Sequence, residues 1–383
     1  MKSIGVLTSI NANHGSSMFN YGLNTILKSA LPSYQTRFLK YRPWNRMWYE
    51  PFRALKLNTK IPFYNLRRYL RLMKFDDEHL DVDPLPLGSY PKMMSKLIEK
   101  KYDALVAGKD TWDVSASWHL PGFPNLFWLS EKIPAIKFAY AVSAHRMDLN
   151  ILKEYKNDIK PVLDSYSIIG VRDDFTLNML DTIGIDPHVN ICKVPDPALM
   201  FNVNTADKNQ ILKKYCLSDD RPLMGLLLYG KPEFSKFVCR HYRSKGYQTI
   251  NFNMFNPYVD INLGHKVDTF EWAAFFQALN FCITDRFHCS MFCIKNNVPF
   301  VAVEPYAPKS LAQSKIFDLL KDFDLKDCYQ NSYDHEFSLK NFIGLCEEIE
   351  HNWKKAFQDH VKQKLDETKI RHGAFIELIQ DIF

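Results

Sequence analysis

A chain of 383 residues can hold two domains, each large enough to bury its own core. Apolar residues make up 46% and charged residues 24%, an ordinary globular balance, and no apolar stretch is long enough to span a bilayer. The net charge of +6 comes with no recognisable DNA- or RNA-binding module, so nucleic acid is not an expected partner.

The first residues, MKSIGVLTSI, pass from one lysine straight into a strand-like run and lack the layout of a secretory signal. IGVLTS (4–9) precedes the helix-like NYGLNTILKSAL, and FNYGLN reads as a glycine-bearing loop near that first strand. From Arg37 to Lys74 the chain carries eleven Lys/Arg against the single Glu50, with nine interleaved aromatics that include Trp44, Trp48, Phe63 and Tyr64. Such a segment can lie on an anionic membrane surface, or it can be a solvated insertion whose aromatics pack back onto the domain. YDALVAG (102–108) then leads into a loop rich in Trp and Asp, followed by IKFAYAVS (136–143) and SYSIIGVR (165–172), the last running into the helical DDFTLNMLDTIG. A second group follows with PLMGLLLYG (222–230), YQTINF (247–252), LNFCIT (279–284) and PFVAVE (299–304), and amphipathic helices from about Ser338. Apolar strands alternating with helices predict an α/β protein with two Rossmann-like parallel sheets. The expected division is 1–203, with a basic aromatic insertion at about 37–75, and 204–383. The eight cysteines form no CxxC pair and no zinc-type spacing, as in reduced, buried thiols of a cytoplasmic protein, and no metal is expected.

Polar residues cluster just after several of these strands, where open parallel sheets bind ligands. In TDRFHCSMF, Asp285, Arg286 and His288 sit at the end of one strand and the start of a helix. The amides of Cys289, Ser290 and Met291 would form an anion site there, Arg286 offers a planar fork and His288 a proton near neutral pH. Equally, Asp285 could cap the helix, pair with Arg286 and leave His288 in a core. Arg172 and Asp173 end another strand, Lys109 and Asp110 follow Gly108, and Asp196 stands between two prolines in VPDPAL. An Asp after a strand is more often a cap than a catalyst. Two arginines, a histidine and two acids on one sheet edge nevertheless suit chemistry on a small doubly anionic molecule.

The ordered series NYG (20–22), YDALVAGKDTW (102–112), FAYAVS (138–143), SIIGVRDD (167–174), VPDPALMF (194–201) and TDRFHCSMFCIKNNVPFVAVE (284–304) resembles the polysaccharide pyruvyl transferase family. The resemblance implies a GT-B-like arrangement of two Rossmann-like domains. It also implies transfer of the enolpyruvyl group of phosphoenolpyruvate to a sugar of a surface glycan or its precursor, forming a pyruvate ketal and needing no cofactor. On this reading Arg172 and Arg286 grip the donor, with Lys109, Cys289 and Ser290 beside it. His288 is the general acid and Asp110 the base or orienting group. Asp196, Asp285 and Asp173 support the arginines, and Asn20, Tyr21, Gly22 and Trp112 lie on the acceptor side. Cys289 replaces the family's usual glycine, Lys109 a serine, and His145 a small residue. The expected partners are phosphoenolpyruvate and a glycan or lipid-linked saccharide, with peripheral contact at the inner face of the plasma membrane through 37–74. The alternatives are a GT-B glycosyltransferase using a nucleotide sugar and a non-catalytic glycan-binding protein.

Overall fold

Each apolar run that lacks polar alternation becomes a strand with both faces covered. The computed structural model describes residues 2–10, 13–41, 61–85, 88–115, 121–201, 207–217, 220–229, 231–306, 310–356 and 360–383. The elements run β1 (Lys2–Leu7), α1 (His14–Ala30), β2 (Tyr34–Lys40), α2 (Tyr64–His79), β3 (Val82–Pro84), α3 (Tyr90–Glu99), β4 (Ala104–Lys109), β5 (Ile136–Val142), α4 (Leu149–Asp164), β6 (Ile168–Val171), α5 (Asp174–Ile183), β7 (Asn190–Lys193) and α6 (Pro197–Met200). They continue through α7 (Lys208–Lys214), β8 (Leu223–Leu227), α8 (Pro232–Ser244), β9 (Gln248–Asn251), β10 (Ile261–Asn262), α9 (Thr269–Ala274), β11 (Phe281–Thr284), α10 (Phe287–Lys295), β12 (Phe300–Val303), α11 (Lys315–Asp322), β13 (Tyr329–Gln330), α12 (Leu339–Ala356) and α13 (Lys362–Asp381).

Two compact units emerge. The first takes the described residues of Met1–Phe52, Asp76–Phe201 and Thr368–Phe383, and the second those of Arg53–Phe75 and Asn202–Glu367. This division differs from the sequence expectation in two places, because helices dock where their apolar faces find partners. In α2, Tyr64 is buried with the second unit: its ring tilts against His265 at 4.7 Å and meets Phe255 edge-on, and its hydroxyl accepts from the Gly264 amide (2.8 Å) and donates to the Asn253 carbonyl (3.1 Å). At the other end of the chain, Phe375 and Ile379 of α13 are buried in the core of the first unit. A Cβ on Gly170 of β6 would stand 2.6 Å from the Phe375 ring, so the glycine is what admits this helix. The stretch 42–60, with Trp44 and Trp48, lies outside the described residues. Of the basic segment, Tyr64 is core, while Phe63, Arg67, Leu70, Arg71 and Lys74 are exposed at helical spacing. Among the described residues, no helix is long and apolar enough to cross a membrane.

The first sheet has the order β3-β2-β1-β4-β5-β6-β7 and the second β10-β9-β8-β11-β12-β13, with every pairing parallel. In the first unit, α1 and α13 cover one face, packing Phe19, Leu23 and Phe375 with Phe138 of β5. Trp112, Trp128 and Tyr166 fill the other. Each order reverses once, between β1 and β4 and between β8 and β11. At such a reversal the flanking helices leave on opposite faces, opening a crevice beyond the carboxyl ends of the two central strands.

Candidate active site

In the first unit the crevice lies beyond β1 and β4. After β1, the Ser9 carbonyl accepts from Lys109 Nζ (2.9 Å) at the end of β4 and from Asn20 Nδ2 (3.2 Å) on α1. Asn20 Oδ1 in turn accepts from the Thr8 hydroxyl at 2.8 Å. Lys109 adopts a left-handed backbone (φ 73°) where the β4–β5 register shifts, a bulge that turns its side chain inward and puts Asp110 past the strand end. Burial pushes the Lys109 amine down to about 7, against the pull of Asp110, Asp76 and Asp196. Beyond β6, Arg172 is buried and donates from Nη1 to Asp196 Oδ2 (3.0 Å) and from Nη2 to Asp110 Oδ1. Asp196 also caps α6 through the Ala198 amide (3.0 Å). Beyond β5, His145 Nδ1 stands 3.1 Å from the Ser143 hydroxyl and 4.0 Å from Asp110 Oδ1.

In the second unit the crevice lies beyond β8 and β11. Asp285 is buried; its Oδ2 accepts from the Tyr229 amide (2.7 Å) after β8, and its Oδ1 lies 3.0 Å from Arg286 Nε. Burial raises the Asp285 carboxyl, while Arg286, the Tyr229 amide and Lys231 oppose the rise. The Arg286 side chain keeps 40% of its surface exposed, with its guanidinium 5.2 Å from the Tyr229 ring centre. Lys231, at the start of α8, lies 4.4 Å from the Tyr333 ring centre and bonds the Ser332 hydroxyl at 2.5 Å. Arg286 is the N-cap of α10, so the amides of Phe287, His288 and Cys289 have no partner within their own helix. His288 occupies the first turn, half-buried.

Each unit therefore gathers a subset of the residues singled out in the sequence. Lys109, Asp110, Arg172 and Asp196 meet in the first; Asp285, Arg286 and His288 in the second. Several expectations need correction. Asn20, Tyr21 and Gly22 lie within α1 rather than a loop: Asn20 braces the chain leaving β1, and Tyr21 packs edge-on against Phe201. Gly22 has only a packing role, since a Cβ there would meet Phe201 at 2.6 Å and the Pro197 carbonyl at 2.8 Å. Trp112 is core, stacked on Trp128 (5.1 Å between centroids, 7° between planes) and donating to the Phe127 carbonyl. Asp173 caps α5, accepting from the Thr176 amide and hydroxyl (2.9 and 2.6 Å), and its charge also favours the Arg172 cation. Arg172 is enclosed by acids rather than offered to a ligand. Cys289 faces Asn253 Nδ2 (3.4 Å), and burial pushes its thiol up to about 12. The Ser290 amide and hydroxyl both bond the Arg286 carbonyl, so the helix start that could meet an anion is 287–289. Tyr229, Lys231, Ser143 and His145 were not assigned to the site from the sequence. All four lie within four residues of a strand end, the same kind of signal that marked Arg172 and Arg286.

Among the described residues, no group of three His, Cys, Asp or Glu side chains is placed to hold a metal ion. Two parallel α/β sheets, each with a charged cluster at its reversal point, define a GT-B-like protein of the kind seen among glycosyltransferases and sugar-nucleotide epimerases. UDP-GlcNAc 2-epimerase from Neisseria meningitidis, bound to UDP-GlcNAc, matches with a TM-score of 0.61 at 11% identity over 100% of both chains. Sucrose-phosphate synthase from Thermosynechococcus elongatus gives 0.54 at 10% identity over 100% of this chain and 99% of that one. A putative UDP-N-acetylglucosamine 2-epimerase from Listeria monocytogenes gives 0.54 at 10% identity, covering 96% and 90%. At such identities the likeness is one of fold. A search of curated proteins finds no match. The family described as polysaccharide pyruvyl transferase matches residues 13–305, and the chain belongs to it. Membership makes it a transferase with a pyruvyl donor and a saccharide acceptor.

Proposed function

We propose that this transferase takes the enolpyruvyl group from phosphoenolpyruvate and closes it as a ketal on two hydroxyls of one sugar, releasing phosphate. The observation that carries this reading is Arg286, a half-exposed guanidinium at the reversal point of the second sheet. Asp285 backs it and Tyr229 flanks it, at the start of a helix. A planar cation at the first turn of a helix suits a phosphate or carboxylate. His288, in the same first turn, supplies the proton to the donor's methylene carbon, leaving a cationic carbon. A sugar hydroxyl attacks that carbon and gives up its proton to water. A second hydroxyl of the same sugar then displaces phosphate, which carries off the second proton, and neither step calls for a cofactor. A lipid-linked acceptor would bring an anionic surface near, and the exposed face of α2 with Arg67, Arg71 and Lys74 suits one.

The test is calorimetric titration with phosphoenolpyruvate. Wild type binds it, and Arg286→Ala weakens binding at least tenfold, since a bond to a charged group contributes about 1.5–3 kcal/mol. Failure of folded wild type to bind phosphoenolpyruvate refutes the reading. Binding of a nucleoside diphosphate in its place favours a glycosyltransferase.

A further inference from the structure

A cavity opens at the amino ends of the first unit's strands, opposite the ends that carry Lys109 and Arg172. Its volume is about 790 Å³, within the usual range of small-molecule sites, and the residues lining it all belong to that unit. Part of the wall is apolar: Ile98 near the end of α3, Ile133 and Pro134 before β5, and Phe383, which packs edge-on against Tyr34 at 4.8 Å. Three lysines from separate elements line the rest. Lys2 opens β1 and donates to the Tyr34 hydroxyl (3.0 Å), and Lys101 lies in the turn after α3 with a left-handed backbone (φ 51°). Lys137 is the second residue of β5. Among the described lining residues the one acid is Asp103, and its carboxylate accepts from the Ser3 amide at 2.7 Å.

Lys137 marks the cavity as a site. The rest of β5 is apolar, and Lys137 stands in register with Leu105 of β4, where an apolar residue would be expected. It is 4% exposed, yet among the described residues its amine makes no hydrogen bond and no ion pair. Burial lowers its titration, against the pull of Glu131. A buried ammonium ordinarily has a close partner, because an unpaired one gives up its hydration and gains nothing in return. Three ammonium groups against one bonded carboxylate match a doubly charged group, and lysine meets phosphate as a point charge. We propose that this cavity binds a small phosphate monoester with an apolar body, its phosphate held by Lys137, Lys101 and Lys2 and its body against Ile98, Ile133 and Phe383. The proposal stands apart from the pyruvyl-transfer reading, since no residue of that scheme lines the cavity.

Calorimetric titration with phenyl phosphate tests it, in the full chain carrying Arg286→Ala so that the proposed donor site does not contribute. A single equivalent binds. Lys137→Met keeps the apolar stem, drops the charge and weakens binding by about tenfold or more, and Lys101→Ala, at an exposed position, weakens it severalfold. Inorganic phosphate binds more weakly than phenyl phosphate, about tenfold or more, because it leaves the apolar wall unfilled. Absence of binding at millimolar phenyl phosphate, unchanged affinity in Lys137→Met, or equal affinity for the two phosphates overturns the proposal. A second measurement serves even where Lys137→Met does not fold: NMR of the Arg286→Ala chain with isotope-labelled dimethyl lysines. The Lys137 signal shifts as phenyl phosphate is added, and a signal that stays in place overturns the proposal.

Discussion

Lys109 gives a quantitative handle on the first cluster. Its amine is buried and donates to the Ser9 carbonyl, and the Phe19 ring centre is 5.9 Å away. Burial lowers its titration from 10.5 to about 7, a differential cost on the order of 5 kcal/mol for holding the charge inside. The sign follows from proton counting. Between the folded and unfolded midpoints the unfolded chain binds the extra proton, so raising the pH favours the folded state. Lys109→Met removes this dependence and leaves the other titrations in place. The stability difference, wild type minus variant, therefore climbs with a slope approaching 1.4 kcal/mol per pH unit, or about 2 kcal/mol between pH 7 and 9. Denaturant unfolding followed by tryptophan fluorescence measures it, the stacked Trp112 and Trp128 reporting on the first unit. A difference that stays flat to within 0.5 kcal/mol on the order set by extrapolation error refutes the claim that Lys109 is neutral in the folded protein above pH 7.

Arg172→Met leaves Asp196 and Asp110 without their shared cation and costs about 3–5 kcal/mol in denaturant unfolding; adding Asp196→Asn recovers part of the loss, as expected when an uncompensated buried charge is the cause. Gly22→Ala forces a methyl against Phe201 and the Pro197 carbonyl, costing about 1–3 kcal/mol and lowering the melting temperature, read by calorimetry.

The strands that were most legible are those carrying apolar runs: β1, β4, β5, β6, β8, β11 and β12, while β9 (Gln248–Asn251) falls within the mixed run YQTINF. Those that were not are edge or near-edge strands. Asn190–Lys193 is half-exposed along its length, Ile261–Asn262 and Tyr329–Gln330 span two residues each, and Tyr34–Lys40 mixes polar with apolar residues at the start of the basic segment. None of these carries an uninterrupted hydrophobic signal. The position of α13 was illegible for a different reason. An amphipathic stripe records that a helix is buried on one side but not which sheet receives it. That choice depends on a gap such as the one at Gly170, visible only once β6 and Phe375 are in place.

At the candidate site the sequence revealed residue types and strand-end positions, but not how the charges are paired. Arg172 and Arg286 look alike in sequence, each ending an apolar strand beside an aspartate. The difference lies in the number of acids converging on each. Asp110 reaches Arg172 from just past β4, two strands away, and Asp196 from the loop after the adjacent β7, 62 and 24 residues away along the chain. Among the described residues Arg286 pairs with Asp285, and its guanidinium lies over the Tyr229 ring. The first arginine is thereby neutralised and sealed. The second keeps part of its guanidinium exposed. Two matching sequence signals thus divide into a sealed and an exposed arginine through long-range pairing, which strand-end patterns do not encode.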